Sequence, residues 1–194
     1  SATIDAFERV DILVNAHRMV QGCDPLAVNE EQLAEMLRQN MISGLRLTQL
    51  VAKRMMAQAE DPEAGPVQNG AVVNVTSLAA DWPQPQMLAY SIASAAQAQA
   101  TRSLAAALAP QRIRVNGVAF ASIMSNNMQQ KLREDPALRD RMISATPLGR
   151  IAGAEELAAT VQFLASEASG FVTGQILRVD GGRSLGDPLA PGVY

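Results

Sequence analysis

The chain of 194 residues has one cysteine, one histidine, two lysines and no long apolar run. With Cys23 alone, an internal disulfide scaffold is excluded. No residue near Cys23 in the sequence would favour a thiolate, so it reads as an inert thiol, and no metal-ligating cluster is expected. The longest apolar stretches, such as residues 104–109, fall far short of the roughly 18 residues of a membrane span. No charged-then-apolar leader ending in small residues opens the sequence. These absences together read as a cytoplasmic protein with no membrane partner. The basic residues are scarce as well as dispersed: 16 Lys and Arg stand against 19 Asp and Glu, for a net charge of -3. Without a basic stripe, nucleic acid is not an expected partner. A small-molecule substrate or another protein is.

What is present is 48% hydrophobic sequence, enough for one globular domain spanning residues 1–194. Ile4 and Phe7 have helix-like spacing. Residues 11–16, Asp-Ile-Leu-Val-Asn-Ala, follow as a short apolar run that predicts a buried strand. From Asn29, which reads as a helix cap with Glu30 and Glu31 in the first turn, apolar residues recur at Leu33, Met36, Leu37, Met41 and Leu45 and on to Met55. This i, i+3, i+4 pattern predicts one long amphipathic helix whose methionines 36, 41, 55 and 56 pack in a core or interface. Residues 61–70, with Pro62, Gly65, Pro66 and Gly70, read as a surface loop.

Residues 71–77 predict a second strand, 87–109 a second long helix closed by Pro110, and 113–119 a third strand. A helix over about 127–144, another over 154–166 and a last strand near 175–179 complete the pattern. Alternating strands and helices specify a parallel sheet with helices on both faces, because parallel neighbours need a crossover of helical length.

Ser77 ends a predicted strand, and Tyr90 follows thirteen residues later at a helix start. Strand ends in open α/β sheets are where ligands bind. Together with Asn40, Asn74-Val-Thr-Ser77, Arg114-Val-Asn-Gly-Val-Ala119, Pro147-Leu-Gly-Arg-Ile and Val179-Asp-Gly-Gly182, this order resembles the short-chain dehydrogenase/reductase family, in particular members similar to 3-oxoacyl-acyl-carrier-protein reductases. The resemblance runs from about residue 11 to 185. It implies a three-layer, Rossmann-like α/β fold with a parallel sheet, a tyrosine acid/base (Tyr90), a serine that hydrogen-bonds the substrate carbonyl (Ser77) and an asparagine that holds a relay water (Asn40). It also implies NAD or NADP as cofactor, with Asn15, Ala16, Ile123 and Ser125 at the positions that meet it, and assembly into homo- or hetero-oligomers, dimers or tetramers.

The chain departs from the family pattern in several places. The family's lysine, four residues after the tyrosine, is Ser94 here. A free phenol has a pKa of about 10 and is roughly one part in a thousand ionised near neutrality, so a neighbouring cation matters. Lys53 and Lys131 are distant in sequence, and Arg102 would lie about 18 Å along the helix axis from Tyr90. From sequence alone no substitute cation is visible. His17 stands where the family's turn has glycine, as drift or as a general base, and Phe120-Ala121 replaces a Pro-Gly pair. The first strand and glycine-rich turn that would cradle a pyrophosphate are not found in these residues. Two expectations follow. The first is a degenerate, non-catalytic or partner-dependent subunit of the NAD(P)-dependent oxidoreductase lineage. The second is an active oxidoreductase acting on a carbonyl or secondary alcohol, its cofactor loop upstream of residue 1. The resemblance also places the strand at 11–16 on an open apolar edge that recruits another strand. A stable monomer by light scattering would contradict this.

Overall fold

The computed structural model describes residues 2–58 and 68–185. The predicted loop at 61–70 therefore lies outside the described residues except for its last three. The elements are α1 (Ala2–Phe7), β1 (Ile12–Asn15), α2 (Glu30–Leu37), α3 (Ser43–Gln58), β2 (Gly70–Ser77), α4 (Leu88–Leu108), β3 (Ile113–Phe120), α5 (Asn126–Glu134), α6 (Pro136–Ser144), α7 (Ala154–Ala165) and β4 (Ile176–Val179). All four strands are parallel, in the order β1-β2-β3-β4, with Asn15 opposite Asn74 and Ser77 opposite Phe120. This is the expected Rossmann-like α/β arrangement.

The two central strands are buried on both faces, as near-continuous Val, Ile and Ala runs require. Successive side chains of β2 feed opposite layers. Val72 packs with Ala52 and Met55 of α3 and Ala105 of α4, while Val73 packs with Val118 and with Leu164 of α7. Helix α4 presents Ala89, Ala93, Ala98 and Ala105 to the interior, and such small side chains let it lie close to the sheet. At the outer end of the described sheet, β1 exposes Ile12 and Val14.

Two predicted helices are interrupted. The run from Asn29 to Met55 begins as expected, with Asn29 and Gln32 forming a reciprocal capping box. A π-helical turn over Arg38–Ile42 then separates α2 from α3. Such a turn inserts a residue without breaking the apolar stripe, so periodicity does not reveal it. The single helix expected over 127–144 is two, α5 and α6. Asp135 caps α6 by accepting from the Leu138 N–H, and Pro136 sits in its first turn, where a missing N–H costs nothing. The Asp-Pro pair was the legible signal for that break.

The start of α7 is held by a charge. Glu156 accepts from the Gly153 N–H at 2.7 Å and pairs with Arg150. The Arg150 guanidinium first, and the Gly153 N–H second, pull the Glu156 carboxyl from 4.5 down to about 2. A carboxylate whose folded value is depressed stabilises the fold above its unfolded value and loses that contribution as pH falls. Glu156→Gln is therefore expected to melt below the wild type near pH 6, with the gap closing between about pH 4.5 and 2. Thermal melts across that range check it. A gap independent of pH would contradict the assignment.

Candidate functional site

Ser77 is the last residue of β2, and Tyr90 is the third residue of α4. Both are buried, at 7% and 4% exposure. The Ser77 hydroxyl oxygen accepts from the Ala79 N–H at 3.2 Å, capping the short 3-10 turn that leads away from the strand. This uses an acceptor lone pair, and the hydroxyl hydrogen is still free to donate. The Tyr90 ring packs with Met36, Ala79, Ala89 and Ala93, and with the partly buried Met19, Cys23 and Leu37 around them. One turn further along α4, on the same face, lies Ser94, which is wholly buried.

The expectation that no cation takes the place of the absent lysine is corrected by Arg18. This residue stands in the loop after β1, 72 positions before Tyr90. Its Nε donates to the Tyr90 hydroxyl oxygen at 3.3 Å, its Nη2 to Ser94 Oγ at 2.9 Å and its Nη1 to the Val75 carbonyl at 3.0 Å. The guanidinium carbon also lies 5.0 Å from the centroid of the Tyr90 ring, within the range of a cation–π contact. Arg18 thus ties the end of β2, the start of α4 and the loop after β1 to one point. The sequence carries no local signal for this, since all three partners are more than fifty residues away.

Asn40 lies in the π-helical turn and is buried, at 3% exposure. Its Nδ2 donates to the Met19 carbonyl at 2.8 Å, and its Oδ1 accepts from the Met19 N–H at 2.7 Å. The side chain therefore clamps the backbone of the residue next to Arg18. His17 is exposed on the same loop, with Nε2 3.0 Å from Gln39 Oε1.

The four positions assigned to a cofactor have distinct surroundings. Asn15 donates from Nδ2 to Asn74 Oδ1 at 2.8 Å and to Thr48 Oγ1 at 3.0 Å, and Asn74 in turn donates to Thr101 Oγ1 at 2.9 Å. This buried chain of amides and hydroxyls ties β1 and β2 to α3 and α4. Ala16 is exposed beside it. Ile123 forms an isolated parallel bridge with Ala152, and Ser125 Oγ caps α5 by accepting from the Met128 N–H at 3.2 Å. A cavity of about 210 Å³ is lined by Asn15, Ala16, His17, Asn40 and Gln97 among others, and the buried Gln97 Oε1 has no hydrogen-bond partner. A larger one, about 330 Å³, opens between the C-terminal ends of β3 and β4 beside Ser122, Arg178 and Asp180. Neither is lined by Ser77 or Tyr90. Among the described residues no group of histidines, cysteines and acids could hold a metal ion, and no helix is long and apolar enough to cross a membrane.

Comparison with known proteins bears on the same residues. A family profile described as enoyl-(acyl carrier protein) reductase matches residues 1–184. The chain is 32% identical over 179 residues to a 3-oxoacyl-[acyl-carrier-protein] reductase of Thermotoga maritima, covering 92% of this chain and 68% of that protein. It is 32% identical over 187 residues to a galactitol 2-dehydrogenase (L-tagatose-forming) of Cereibacter sphaeroides, covering 95% and 70%. Among solved structures, a gluconate 5-dehydrogenase from Burkholderia cenocepacia in complex with NADP and tartrate superposes with a TM-score of 0.84 at 27% identity, over 96% of this chain and 69% of that one. A putative 2-deoxy-D-gluconate 3-dehydrogenase from Agrobacterium tumefaciens with bound NADP gives 0.82 at 31% identity, over 94% and 70%. With its parallel sheet, its Ser77 at the end of β2, its Tyr90 at the start of α4 and this breadth of likeness, the chain belongs to the short-chain dehydrogenase/reductase family of NAD(P)-dependent oxidoreductases.

Proposed function

We propose that the chain carries the proton-transfer site of an oxidoreductase that reduces a carbonyl or, in reverse, oxidises a secondary alcohol. The observation that supports this reading is the bridge made by Arg18, which draws the strand end bearing Ser77 and the helix start bearing Tyr90 to a single point. Ser77 donates a hydrogen bond to the substrate oxygen. Tyr90 gives its hydroxyl proton to that oxygen as it gains negative charge. Positioned general acids of this kind contribute about 10²–10⁴-fold.

The described residues alone do not fit a whole nicotinamide dinucleotide. Its pyrophosphate asks for free N–H groups at a helix start following a glycine-rich turn, and none of the described helices opens that way. The Asn15 amide N–H groups are engaged within the protein, while the Ser125 oxygen accepts from the Met128 N–H and keeps its hydrogen to donate. The mechanism is therefore confined to the proton side of the reaction, with no step derived through the cofactor.

A second reading, a non-catalytic subunit working beside an active relative, draws on His17 in a loop where the family has glycine and on the engaged Asn15 amide. In both readings the chain assembles with other subunits. An assay of NADH and NADPH oxidation by the purified full-length protein with a panel of small ketones and 3-oxoacyl thioesters separates the two. Ketone-dependent oxidation is expected. Its absence with every compound would overturn the first reading in favour of the second.

A further inference from the structure

Arg18 raises a question of charge that its role as a bridge does not answer. Its side chain is partly buried, and all its hydrogen bonds go to neutral oxygens: a carbonyl, a hydroxyl and a phenol. No carboxylate pairs with it among the described residues, and the same holds for the buried Arg114, which is served by neutral acceptors alone. What sets Arg18 apart is that one of its acceptors is ionisable. Of the three oxygens it touches, only that of Tyr90 can become an anion by giving up a proton. The Tyr90 ring itself packs with Met36, Ala79, Ala89 and Ala93.

We propose that Arg18 is the charge partner of Tyr90: its guanidinium, delivered by the loop after β1, stabilises the phenolate left behind when Tyr90 transfers its proton. The inference rests on the reading of Tyr90 as proton donor. In that step the Tyr90 O–H bond breaks, an O–H bond forms on the substrate oxygen, and the electron pair stays on the phenol oxygen beside the guanidinium. The positive charge comes from a different element of the fold than α4. Ser94, whose hydroxyl accepts from the same guanidinium, marks where a cation borne by α4 would have to reach. Asn40 acts as a positioning residue for this charge, because both of its bonds to Met19 fix the backbone next to Arg18. Arg is suited to the task because its planar fork keeps several donors in fixed directions, here one to the phenol and two to the scaffold.

The test is an ultraviolet titration of tyrosine ionisation in a Tyr194→Phe background, which leaves Tyr90 as the one tyrosine. At about pH 10, where a free phenol is half ionised, the phenolate-to-phenol ratio is expected to be at least about tenfold lower in Arg18→Gln than with Arg18 intact, as for loss of an opposite charge within hydrogen-bond reach. Arg18→Lys, which keeps the charge, should stay with the wild type. Equal ratios for Arg18 and Arg18→Gln would overturn the proposal and leave Arg18 a structural bridge. Should Arg18→Gln lose its far-ultraviolet circular dichroism, the Arg18→Met/Ser94→Lys protein carries the comparison. It should retain the ratio seen with Arg18, and a tenfold drop there would overturn the proposal. A ratio that depends on Arg18 in a protein that reduces no ketone would retire the oxidoreductase reading while leaving the pairing in place. Ketone reduction with no such dependence would do the opposite.

Discussion

Replacing Tyr90 with phenylalanine is expected to lower ketone-dependent turnover by about 10²–10⁴-fold, the range for removal of a positioned acid/base group. The ring and its packing against Met36, Ala89 and Ala93 are kept, so the fold should survive. The lost hydroxyl was one of three acceptors of Arg18, and the other two, Val75 and Ser94, still anchor the guanidinium. The loss should therefore fall on kcat with little change in KM, because it removes a group that acts in the transition state. Steady-state kinetics with circular dichroism on the same sample check it. A Tyr90→Phe protein with unchanged kcat would remove Tyr90 from the chemistry.

The largest effect on stability is expected at Arg114, far from that site. This side chain is 6% exposed, and burial pulls its guanidinium below the ordinary arginine value. It donates to the Leu164 carbonyl at 2.9 Å, the Ser166 carbonyl at 3.0 Å, Ser169 Oγ at 2.8 Å and Gln68 Oε1 at 2.7 Å. Leu164 and Ser166 belong to the end of α7, whose last carbonyls have no partner inside the helix. Arg114 closes that end from β3 while favouring the negative pole of the helix dipole. Arg114→Met keeps the apolar stem but removes these four hydrogen bonds, at roughly 0.5–1.5 kcal/mol each, while Ser169 still donates to the Leu164 and Ser166 carbonyls. A loss of about 3 kcal/mol follows, or about 6–12 °C in Tm for a chain of this size. Arg114→Lys should recover less than half of it, because one ammonium cannot span acceptors arranged around a planar fork. A melting temperature within about 2 °C of the wild type, the shift that less than about 1 kcal/mol gives in a chain of this size, would show that other donors close the helix.

Both sites show how far sequence reasoning reaches in this chain. The strands at 71–77 and 113–119 are legible because a parallel sheet covered on both faces demands unbroken runs of small and β-branched residues. The run at 11–16 reads the same way and is a strand, but not the buried one expected, since β1 leaves Ile12 and Val14 exposed. Ser77 and Tyr90 are marked by the family resemblance, and the structure places the first at the end of β2 and the second at the start of α4. The π-helical turn at Arg38–Ile42 is not legible, since the apolar stripe runs through it and its composition is that of a helix. The break between α5 and α6 could have been read from Asp135 and Pro136, whose cap and first-turn roles are local. Arg18 and Arg114 share a different obscurity. Each is a long side chain whose partners lie about fifty residues or more away, and which carbonyls it meets is decided by how the layers stack. A search confined to α4 for the missing cation fails for that reason, because the fold delivers charge to Tyr90 from a loop.

The central claim is that charge at Arg18, beyond its hydrogen bonds, makes Tyr90 an effective proton donor. The most direct test is the ketone-dependent kcat of Arg18→Lys and Arg18→Gln measured side by side. The lysine protein is predicted to keep most of the activity, and the glutamine protein to fall toward Tyr90→Phe. Equal kcat values for the two would contradict the claim.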